Sequence, residues 1–505
     1  MRTAILVCYG HLVELGRILL LSTTSSTRLL FIPGMNRLRK FNGIVRAYLQ
    51  FLRARRTVPA YREFLRSKNF DRPGFDGWLP RLHDIPITDK DNYVKAYDIG
   101  ARAVGGKLPD KKVVIDESSG SSGTAINWAR GPFERKRNAK MIRFGIRNMF
   151  GQEPLFIINA FALGAWATGI NVAMSCVSFA KIKSPGPDIV KIENTLRQFG
   201  KGNKYILMGY PPFLKTLVDQ SGIDWKEYDI SFIFGGESMS EEMRDYLLIK
   251  GIKKIYSSLG ASDLELNISS ENDFTISLRR LIRSNSDLRK RLLHFGGALP
   301  MIFQYHPGDF LIESSANGEL ISTICRPGYI CPKIRYNIHD RGHVMDVKEL
   351  YSILDELHID RDLLGQPKTD LPLLFHYGRS DATVSFFGAN ISAVDVNEAI
   401  FSIPVLAYCI NSFCIETPED QQGNKKLVIH FELQKGITKE QVDHFRYEKE
   451  FFQHLAFLNQ DFREAYRMIH NDRKTFVVFH PYREGPFTQK DTRIKAQYIS
   501  SGAGS

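Results

Sequence analysis

The middle of the chain alternates between short apolar runs and segments in which apolar residues recur every three or four positions. The apolar runs predict buried strands at residues 155–159, 205–208, 230–234 and 254–257. The segments between them predict helices at residues 164–173, 212–220 and 240–250. Strands that alternate with helices form parallel sheets, so the pattern predicts an α/β fold. Ligands bind such sheets at the carboxyl ends of the strands.

The pattern changes towards the end of the chain. Residues 311–314 and 319–325 alternate like an antiparallel pair joined by Asn317-Gly318. Beyond residue 377, short strands at 427–433 and 475–480 accompany two helical patterns. A chain of 505 residues is also too long for one core. We therefore expect a large N-terminal domain with mixed, largely parallel sheets (1–376) and a small α+β C-terminal domain (377–505).

Residues 1–43 form a basic, amphipathic extension. Its apolar residues fall roughly along one helical face: Ile5, Leu12, Leu15 and Leu19. Glu14 and Arg17 interrupt the segment, and the cost of burying them in lipid argues against a spanning helix. The composition also fits a transit peptide or a helix on a membrane surface. We favour a basic helix that packs on the main domain.

Three further local patterns predict helices. Residues 44–70 have helical spacing, and Thr88 is a candidate N-cap for the helix that follows it. Residues 133–150 and 273–295 are helical and rich in Arg and Lys. For both basic helices a solvated face is the expected role, and contact with bound phosphates is the alternative for the first.

Charge and cysteine content narrow the class of protein. The net charge of +13 fits a polyanionic ligand such as a nucleotide, a membrane surface or nucleic acid. The spaced Cys/His sets of common nucleic-acid modules are missing from the sequence, so we expect no nucleic-acid partner. The six cysteines are scattered and form no Cys-x-x-Cys pair. They predict reduced structural thiols in a cytoplasmic protein.

A loop rich in glycine and hydroxyl groups, Ser118 to Ala125, follows the apolar run at residues 113–115. Glycines let backbone amides approach a ligand closely, and consecutive amides and hydroxyls form a concave site for phosphate oxygens. A flexible linker has the same composition. The loop alone therefore does not decide between the two.

Several distant motifs favour the phosphate-binding interpretation, because they occur in a recognisable order. They are Asn159 to Trp166, Gly235-Gly236-Glu237, Leu259 to Asp263, Arg335-Tyr336 through Asp340-Arg341-Gly342, Gly378-Arg379 through Gly388, and Lys495-Ala496-Gln497. Together with the loop, this series resembles the adenylate-forming superfamily, in particular its branch around phenylacetate–coenzyme A ligase. The resemblance spans most of the chain from about Leu52 onward and implies an adenylate-forming N-terminal domain with a mobile C-terminal lid.

The resemblance assigns roles to these motifs. ATP or AMP would be bound by Ser118, Ser119, Gly120, Ser121, Ser122, Gly123, Thr124, Gly235, Gly236, Glu237, Leu259, Gly260, Ala261, Asp340 and Arg379. Asp263 would coordinate Mg²⁺, Ser262 would bond a phosphate, and Lys495 would stabilise the reacting carboxylate and α-phosphate. The domain would swing about Asp381, and the Gly388 face would admit the thiol of coenzyme A.

The implied reaction is the adenylation of a carboxylic acid followed by thioester formation with coenzyme A. By resemblance, the acyl pocket would include Phe161, Trp166 and Tyr210, so we expect a hydrophobic or aromatic acid. The acceptor stays open: the acyl or AMP group could instead pass to a carrier-protein thiol, an amine or another small acceptor. The oligomeric state also stays open, and a homodimer is possible.

Five departures from the family's pattern keep a catalytically lapsed, nucleotide-binding homologue as the second alternative. They are Thr124 for Lys, Leu259 for an aromatic residue, Asp263 for Glu, His339 for Gly and Ile494 for Gly.

Overall fold

The computed structural model describes residues 1–117, 126–151, 153–164, 167–295, 299–379, 383–386, 389–418, 426–459, 462–463, 466 and 474–488. The helices are α1 (Arg2–Leu20), α2 (Thr24–Thr27), α3 (Asn36–Thr57), α4 (Pro59–Ser67), α5 (Pro132–Phe150), α6 (Ala167–Cys176), α7 (Ile189–Phe199), α8 (Pro211–Gln220), α9 (Glu241–Ile249), α10 (Asp273–Ser284), α11 (Ser286–Leu292), α12 (Val347–Glu356), α13 (Ala393–Phe401), α14 (Pro404–Cys409) and α15 (His444–Leu458).

The strands are β1 (Phe75–Asp76), β2 (Leu79–Pro80), β3 (Val114–Glu117), β4 (Asn127–Arg130), β5 (Leu155–Asn159), β6 (Lys181–Lys183), β7 (Lys204–Gly209), β8 (Asp229–Phe234), β9 (Ile255–Leu259), β10 (Ser269–Ser270), β11 (Met301–Tyr305), β12 (Phe310–Ser314), β13 (Glu319–Ile324), β14 (Tyr336–Met345), β15 (Leu373–Arg379), β16 (Thr383–Phe386), β17 (Ala389–Ser392), β18 (Ile410–Glu416), β19 (Leu427–Leu433) and β20 (Thr475–His480).

One large mixed sheet organises the first part of the chain. Its 11 strands lie in the order β12-β13-β14-β15-β11-β10-β9-β8-β7-β5-β6. Strands β9, β8, β7, β5 and β6 are parallel, and the others are antiparallel. Every residue of β5 is buried, because helices cover both faces of a parallel sheet. The α/β expectation is confirmed, and so is the antiparallel pair around Asn317-Gly318.

A smaller α+β unit follows the large sheet. Strands β18, β19 and β20 form a separate three-stranded sheet, in which β18 pairs antiparallel and β20 parallel with β19. Helix α15 packs against it through Phe451, whose ring contacts Phe431. The last strand of the large sheet, β15, ends at Arg379. The domain division after residue 376 stays a prediction.

Polar contacts join the small unit to helix α8. The buried Lys215 Nζ donates to the Ile410 carbonyl (3.2 Å) and pairs with Asp219 (2.8 Å). Thr216 donates to the side chain of Asn411 (3.2 Å). Because Lys215 would lose the Ile410 carbonyl if the two surfaces separated, and Thr216 would lose Asn411, these contacts favour the docked arrangement.

Two of the predicted helix boundaries are wrong. The segment predicted as one helix over residues 44–70 is two helices, which meet at Val58 and Pro59. Proline restricts the residue before it to an extended backbone, and Val58 has φ −108° and ψ 109°. The N-cap after residue 88 is Asp89, whose carboxylate accepts from the amides of Asp91 and Asn92. Thr88 instead donates its hydroxyl to the buried carbonyl of Ile334.

The basic helices are less solvated than the sequence suggested. In α10, Arg279 is fully buried and donates to the Met239 carbonyl (2.7 Å) and to Glu241 (2.6 Å). In α5, Arg137 pairs with Glu14 of α1. These cations hold elements together, because a buried guanidinium with several carbonyl and carboxylate acceptors fixes their relative positions.

Helix α1 packs on the main domain as expected, but with an unexpected face. Its buried side carries the ion pair between Arg17 and Asp309 (2.7 Å). The apolar set predicted to lie along one face points to solvent, with Leu12 68% and Leu19 65% exposed. The prediction assumed that apolar positions face the protein, whereas here the ion pairs decide the orientation.

Candidate active site

Four parallel strands bring most of the predicted site residues that the structure describes to one edge of the large sheet. Strands β5, β7, β8 and β9 end at residues 159, 209, 234 and 259. The loops that follow these ends carry Phe161, Tyr210, Gly235, Gly236, Glu237, Gly260, Ala261, Ser262 and Asp263. Leu259 is the last residue of β9. Because the carboxyl ends of parallel strands share one edge, residues from three separate motifs, and Tyr210 with them, are neighbours.

The glycines in these loops are required by close packing. Gly236 has φ +83°, and a Cβ on it would lie 2.5 Å from Cε1 of Tyr210. A Cβ on Gly260 would lie 2.5 Å from the Leu266 carbonyl oxygen. Any larger residue would therefore push the loops apart, which explains why both motifs use glycine.

Two aromatic residues of the predicted acyl pocket are in direct contact. The rings of Phe161 and Tyr210 meet edge to face, with centroids 5.0 Å apart. Phe161 is buried, and burial raises the pKa of the Tyr210 phenol. Their contact joins the loops after β5 and β7 into one apolar wall beside Gly236.

Asp263 receives contacts from two other segments. Its side chain accepts a hydrogen bond from the Tyr336 hydroxyl, with Oη and Oδ2 3.0 Å apart. Lys90 Nζ lies 3.7 Å from the same oxygen. Asp263 is only 8% exposed, so these contacts hold the carboxylate in one place. They connect the loop after β9 to the start of β14 and to residues 90–94.

Lys333 is a buried cation that the sequence reasoning missed. Its Nζ lies 4.0 Å from the ring centroid of Trp128 and 4.7 Å from that of Tyr336. Burial lowers the pKa of its ammonium to about 7, against a smaller opposing effect of Cys331 and Asp263. The lysine therefore changes charge near neutral pH, in a cage of aromatic rings beside Asp263.

The strands on either side of the predicted phosphate loop are fixed to the same region. Strands β3 and β4 pair antiparallel, which sets Glu117 opposite Asn127. Arg130, at the end of β4, pairs with Asp116 (3.3 Å) and donates to the Leu264 carbonyl (2.7 Å). Both ends of the loop are thus tied to the segment that carries Asp263.

The two residues predicted to bind the ribose are neighbours across a strand pair. Asp340 of β14 is the register partner of Arg379 of β15. His376 Nε2 lies 2.9 Å from Asp340 Oδ2, and since a carboxylate only accepts, the imidazole donates. Asp340 lies four residues after Tyr336 on the same strand, which limits their Cα separation to about 14 Å. Strand β14 therefore links the two residues predicted to bind the ribose to Asp263.

His339, which stands where the family pattern has Gly, adopts a backbone conformation that suits glycine. Its φ is +62°, in the left-handed region. Its amide donates to the Asn337 side chain (2.8 Å), and its ring lies 3.3 Å from Glu319. These local bonds compensate for the cost of a side chain at this position.

Several predicted residues lie outside the described part of the chain, so the structure does not place them. They are Ser118, Ser119, Gly120, Ser121, Ser122, Gly123, Thr124, Trp166, Asp381, Gly388 and Lys495. Conversely, Lys333 and His376 sit beside Asp263 and Asp340 without having been predicted. Their closeness in sequence to two motifs, at residues 335–342 and 378–388, was the only signal that could have found them.

The donor set around Asp263 suits a metal that is shared with a phosphate. Among the described residues, no group of three or more His, Cys, Asp or Glu side chains is arranged to hold a metal ion. Mg²⁺, however, is commonly bound by one or two carboxylates together with substrate phosphates. Asp263 fits that mode, so a metal here would depend on the bound nucleotide.

Comparisons with known proteins support the fold. No protein-family model and no curated protein matches the sequence. Among solved structures, 2-hydroxyisobutyryl-CoA ligase in the postadenylation state, in complex with R3-HIB-AMP, matches with a TM-score of 0.67 and 11% identity, covering 94% of this chain and 91% of that chain. At this identity the similarity shows the fold alone, which this chain shares with that ligase over most of the length of both chains.

A second state of the same ligase matches less closely. Its complex with 2-HIB-AMP and CoA in the thioesterification state gives a TM-score of 0.53 at 12% identity, again covering 94% of this chain and 91% of that chain. Both comparisons cover the same share of each chain, and the postadenylation state of that ligase gives the higher score.

Proposed function

We propose that the chain catalyses the ATP-dependent adenylation of a hydrophobic or aromatic carboxylic acid and then forms a thioester with coenzyme A, as an acid–thiol ligase of the phenylacetate–coenzyme A ligase type. In the first step a carboxylate oxygen attacks the α-phosphorus and pyrophosphate leaves. In the second step the thiol sulfur attacks the acyl carbon, AMP leaves, and the thiol proton goes to solvent.

The observation that carries this proposal is the path from Asp263 through Tyr336 to Asp340. One strand supplies the hydrogen bond to Asp263 and, four residues later, the carboxylate opposite Arg379. An extended nucleotide needs its ribose and its phosphates held by separate groups at fixed spacing. Asp340 would accept the ribose hydroxyls, and the edge around Asp263 would face the phosphates. Bound there, Mg²⁺ would neutralise phosphate charge.

Two lysines supply positive charge near the expected position of the phosphates. Lys90 Nζ lies 3.7 Å from Asp263, and Lys333 is buried beside it. Both reactants of adenylation are anions, so the site must reduce their repulsion. The phosphate loop has Thr124 where many relatives have lysine, and we propose that Lys90 and Lys333 provide the missing charge.

The substrate class follows from the apolar wall that Phe161 and Tyr210 form at the edge. The segment Asn159 to Trp166 contains no acidic residue that could pair with a substrate ammonium, which favours hydrophobic or aromatic acids over amino acids. All six cysteines are free thiols, four of them buried, which supports the proposed cytoplasmic location.

Pyrophosphate release across a panel of carboxylic acids, with and without coenzyme A, tests the proposal. We expect release with aromatic or other hydrophobic acids, little with amino acids, and thioester only when coenzyme A is present. Lys495→Ala should abolish release and leave ATP binding nearly intact, whereas Lys490→Ala is the matched control. Release with a carrier protein alone would point to another acceptor, and ATP binding without release from any acid would overturn the proposal in favour of a lapsed homologue.

A further inference from the structure

The solvent face of helix α1 is almost entirely apolar. Five aliphatic side chains on this face are between 46% and 68% exposed: Ile5, Leu12, Leu15, Ile18 and Leu19. Surface helices of soluble proteins turn such residues inward and their charges outward. Here the arrangement is reversed, since Glu14 and Arg17 point into the protein. The exposed face is therefore built for an apolar environment outside the chain.

The buried face of α1 fixes this orientation. Arg17 pairs with Asp309 (2.7 Å), and Glu14 pairs with Arg46 (2.8 Å). A Cβ on Gly10 would lie 1.9 Å from Leu49, so the helix also approaches α3 closely. Turning the apolar face inward would break these ion pairs. The helix is locked with its aliphatic side outward.

The exposed apolar surface continues past the end of α1. Leu29 is 53% exposed, and further exposed positions follow at Ile32, Met35 and Leu38. Near the start of the helix, Trp78 is 54% exposed and lies under the guanidinium of Arg2, 6.0 Å from its ring centroid. Exposed tryptophan beside a basic residue is typical of proteins that enter the headgroup layer of a membrane.

A basic cavity of about 550 Å³ borders this apolar surface. Its lining includes four arginines: Arg55, Arg56, Arg62 and Arg66. The other side of the cavity is formed by Thr3 and Val7, on the flank of α1. One acidic residue, Asp71, also lines the cavity. Asp71 already pairs with Arg55. Arginine binds phosphate through parallel hydrogen bonds, so the cavity suits an anionic headgroup.

We propose that α1 and the adjoining arginine cavity bind the surface of a membrane that contains anionic phospholipids. The aliphatic face of α1 enters the lipid layer, and the arginines hold a lipid phosphate. The first 60 residues carry ten Lys or Arg and one acid, Glu14. Three of the cations, Arg17, Arg39 and Arg46, are buried, and the charge of the other seven suits an anionic surface. This inference does not depend on the proposed chemistry.

The same contacts favour a helix lying in the membrane plane over one that crosses it. Among the described residues, one helix, Arg2–Leu20, is long and apolar enough to cross a membrane, and 17% of its apolar window is buried. Crossing would require Glu14 and Arg17 to leave their partners and enter lipid, which is costly. In-plane binding keeps both ion pairs.

Flotation of the full chain with lipid vesicles tests the proposal. We expect binding to phosphatidylcholine vesicles that contain phosphatidylglycerol, weak binding to phosphatidylcholine alone, and loss of binding at high salt. The triple variant Leu12→Gln, Leu15→Gln, Leu19→Gln and the double variant Arg62→Ala, Arg66→Ala should each weaken binding about tenfold or more. Circular dichroism should show that both variants are folded, since all five residues are exposed.

Two matched controls separate this surface from general stickiness. The first control is the triple variant Ile249→Gln, Leu363→Gln, Phe457→Gln, which removes three comparably exposed apolar side chains elsewhere. The second control is the double variant Lys253→Ala, Lys254→Ala, which removes two exposed cations. Neither should change vesicle binding. The proposal would be overturned if the controls lost as much binding as the test variants, or if the chain did not bind anionic vesicles. It would also be overturned if the chain formed a dimer that did not bind vesicles and that the α1 variant converted to a monomer. Resistance of bound protein to extraction with alkaline carbonate would overturn the in-plane orientation.

Discussion

The hydroxyl of Tyr336 donates to the carboxylate of Asp263 across 73 positions of sequence, with 3.0 Å between the oxygens. The tyrosine opens strand β14, and the aspartate lies in the loop after β9. Both side chains are buried, and burial, together with the nearby charge of Asp263, raises the pKa of the Tyr336 phenol, so it stays a donor at neutral pH. The carboxylate is therefore oriented before any ligand binds.

If Asp263 holds the metal, removing its charge should nearly abolish adenylation. We expect Asp263→Asn to lower pyrophosphate release about 100-fold, because a metal that neutralises phosphate charge contributes several kcal/mol. Tyr336→Phe removes one hydrogen bond, worth about 1 kcal/mol, and should raise the Mg²⁺ concentration needed for half-maximal release a few-fold. Tyr256→Phe breaks a similar bond to Asp273, a residue outside the predicted site, and is the control. A Mg²⁺ requirement that is the same in all three variants and the parent would contradict this role.

The contact between Asp340 and His376 leads to a prediction of how substitutions at the two positions change the affinity for AMP. Asp340→Ala should weaken AMP binding about 100-fold, since each hydrogen bond from ribose to a charged acceptor is worth about 1.5–3 kcal/mol. His376→Ala should have a smaller effect, because it frees the carboxylate without removing it. Isothermal calorimetry with AMP measures both, and Asp346→Ala, at the other end of β14, is the control. Unchanged AMP affinity in Asp340→Ala would exclude the ribose assignment.

The parallel half of the fold was predictable because strands that are buried on both faces appear in the sequence as continuous apolar runs. Strand β5 was predicted and observed at residues 155–159. The hairpin at Asn317-Gly318 was predictable for a similar reason, since the turn chemistry is local. Ion pairs produce no local sequence pattern. The inward face of α1 depends on Asp309 and Arg46, which are distant from α1 in sequence.

The site was predictable only to the extent that motifs mark it. Asp263, Asp340 and Arg379 were predicted by resemblance, and strand β14 connects their positions through Tyr336 and the pairing with β15. Lys333 and His376 were not found, because a lysine or a histidine in a single sequence carries no sign of its burial. Only the positions of Trp128 and Tyr336 in space show that Lys333 is enclosed by rings.

The buried ammonium of Lys333 predicts a specific dependence of stability on pH. Its pKa of about 7 in the folded chain lies below the ordinary value of 10.5, so between these pH values the unfolded chain binds more protons. The free energy of unfolding should therefore rise from pH 7 to pH 10, by on the order of 3 kcal/mol from this group. Lys333→Met should remove that rise in urea titrations, and Lys226→Met should not. Parallel curves for Lys333→Met and the parent would contradict the assignment.

The buried carboxyl of Glu398 predicts that the free energy of unfolding falls as the pH rises towards 8, which is opposite to the effect of Lys333. Burial raises its pKa to about 8, against the opposing effect of Arg279, whose Nη2 lies 3.9 Å away. The group stabilises the fold fully below its ordinary pKa of 4.5, and this contribution is lost as the pH rises through about 8. Glu398→Gln should flatten the decline between pH 5 and pH 8, measured by thermal unfolding. Glu356→Gln, at an exposed position, should retain it; a decline that persists in Glu398→Gln would show that other groups cause it.

The docked position of the small unit depends on Lys215. Its ammonium is buried between Asp219 and the Ile410 carbonyl, and Gln434 Nε2 lies 3.3 Å from the same carboxylate. Lys215→Met keeps the length of the side chain but leaves Asp219 without its ion pair, so the docked arrangement should lose on the order of 2 kcal/mol. Small-angle scattering should then show a larger radius of gyration, and protease should cleave faster between residues 379 and 393. Lys226→Met lies at an exposed position and should change neither. If Lys215→Met leaves both measurements unchanged, the contacts between α8 and β18 do not hold the two units together.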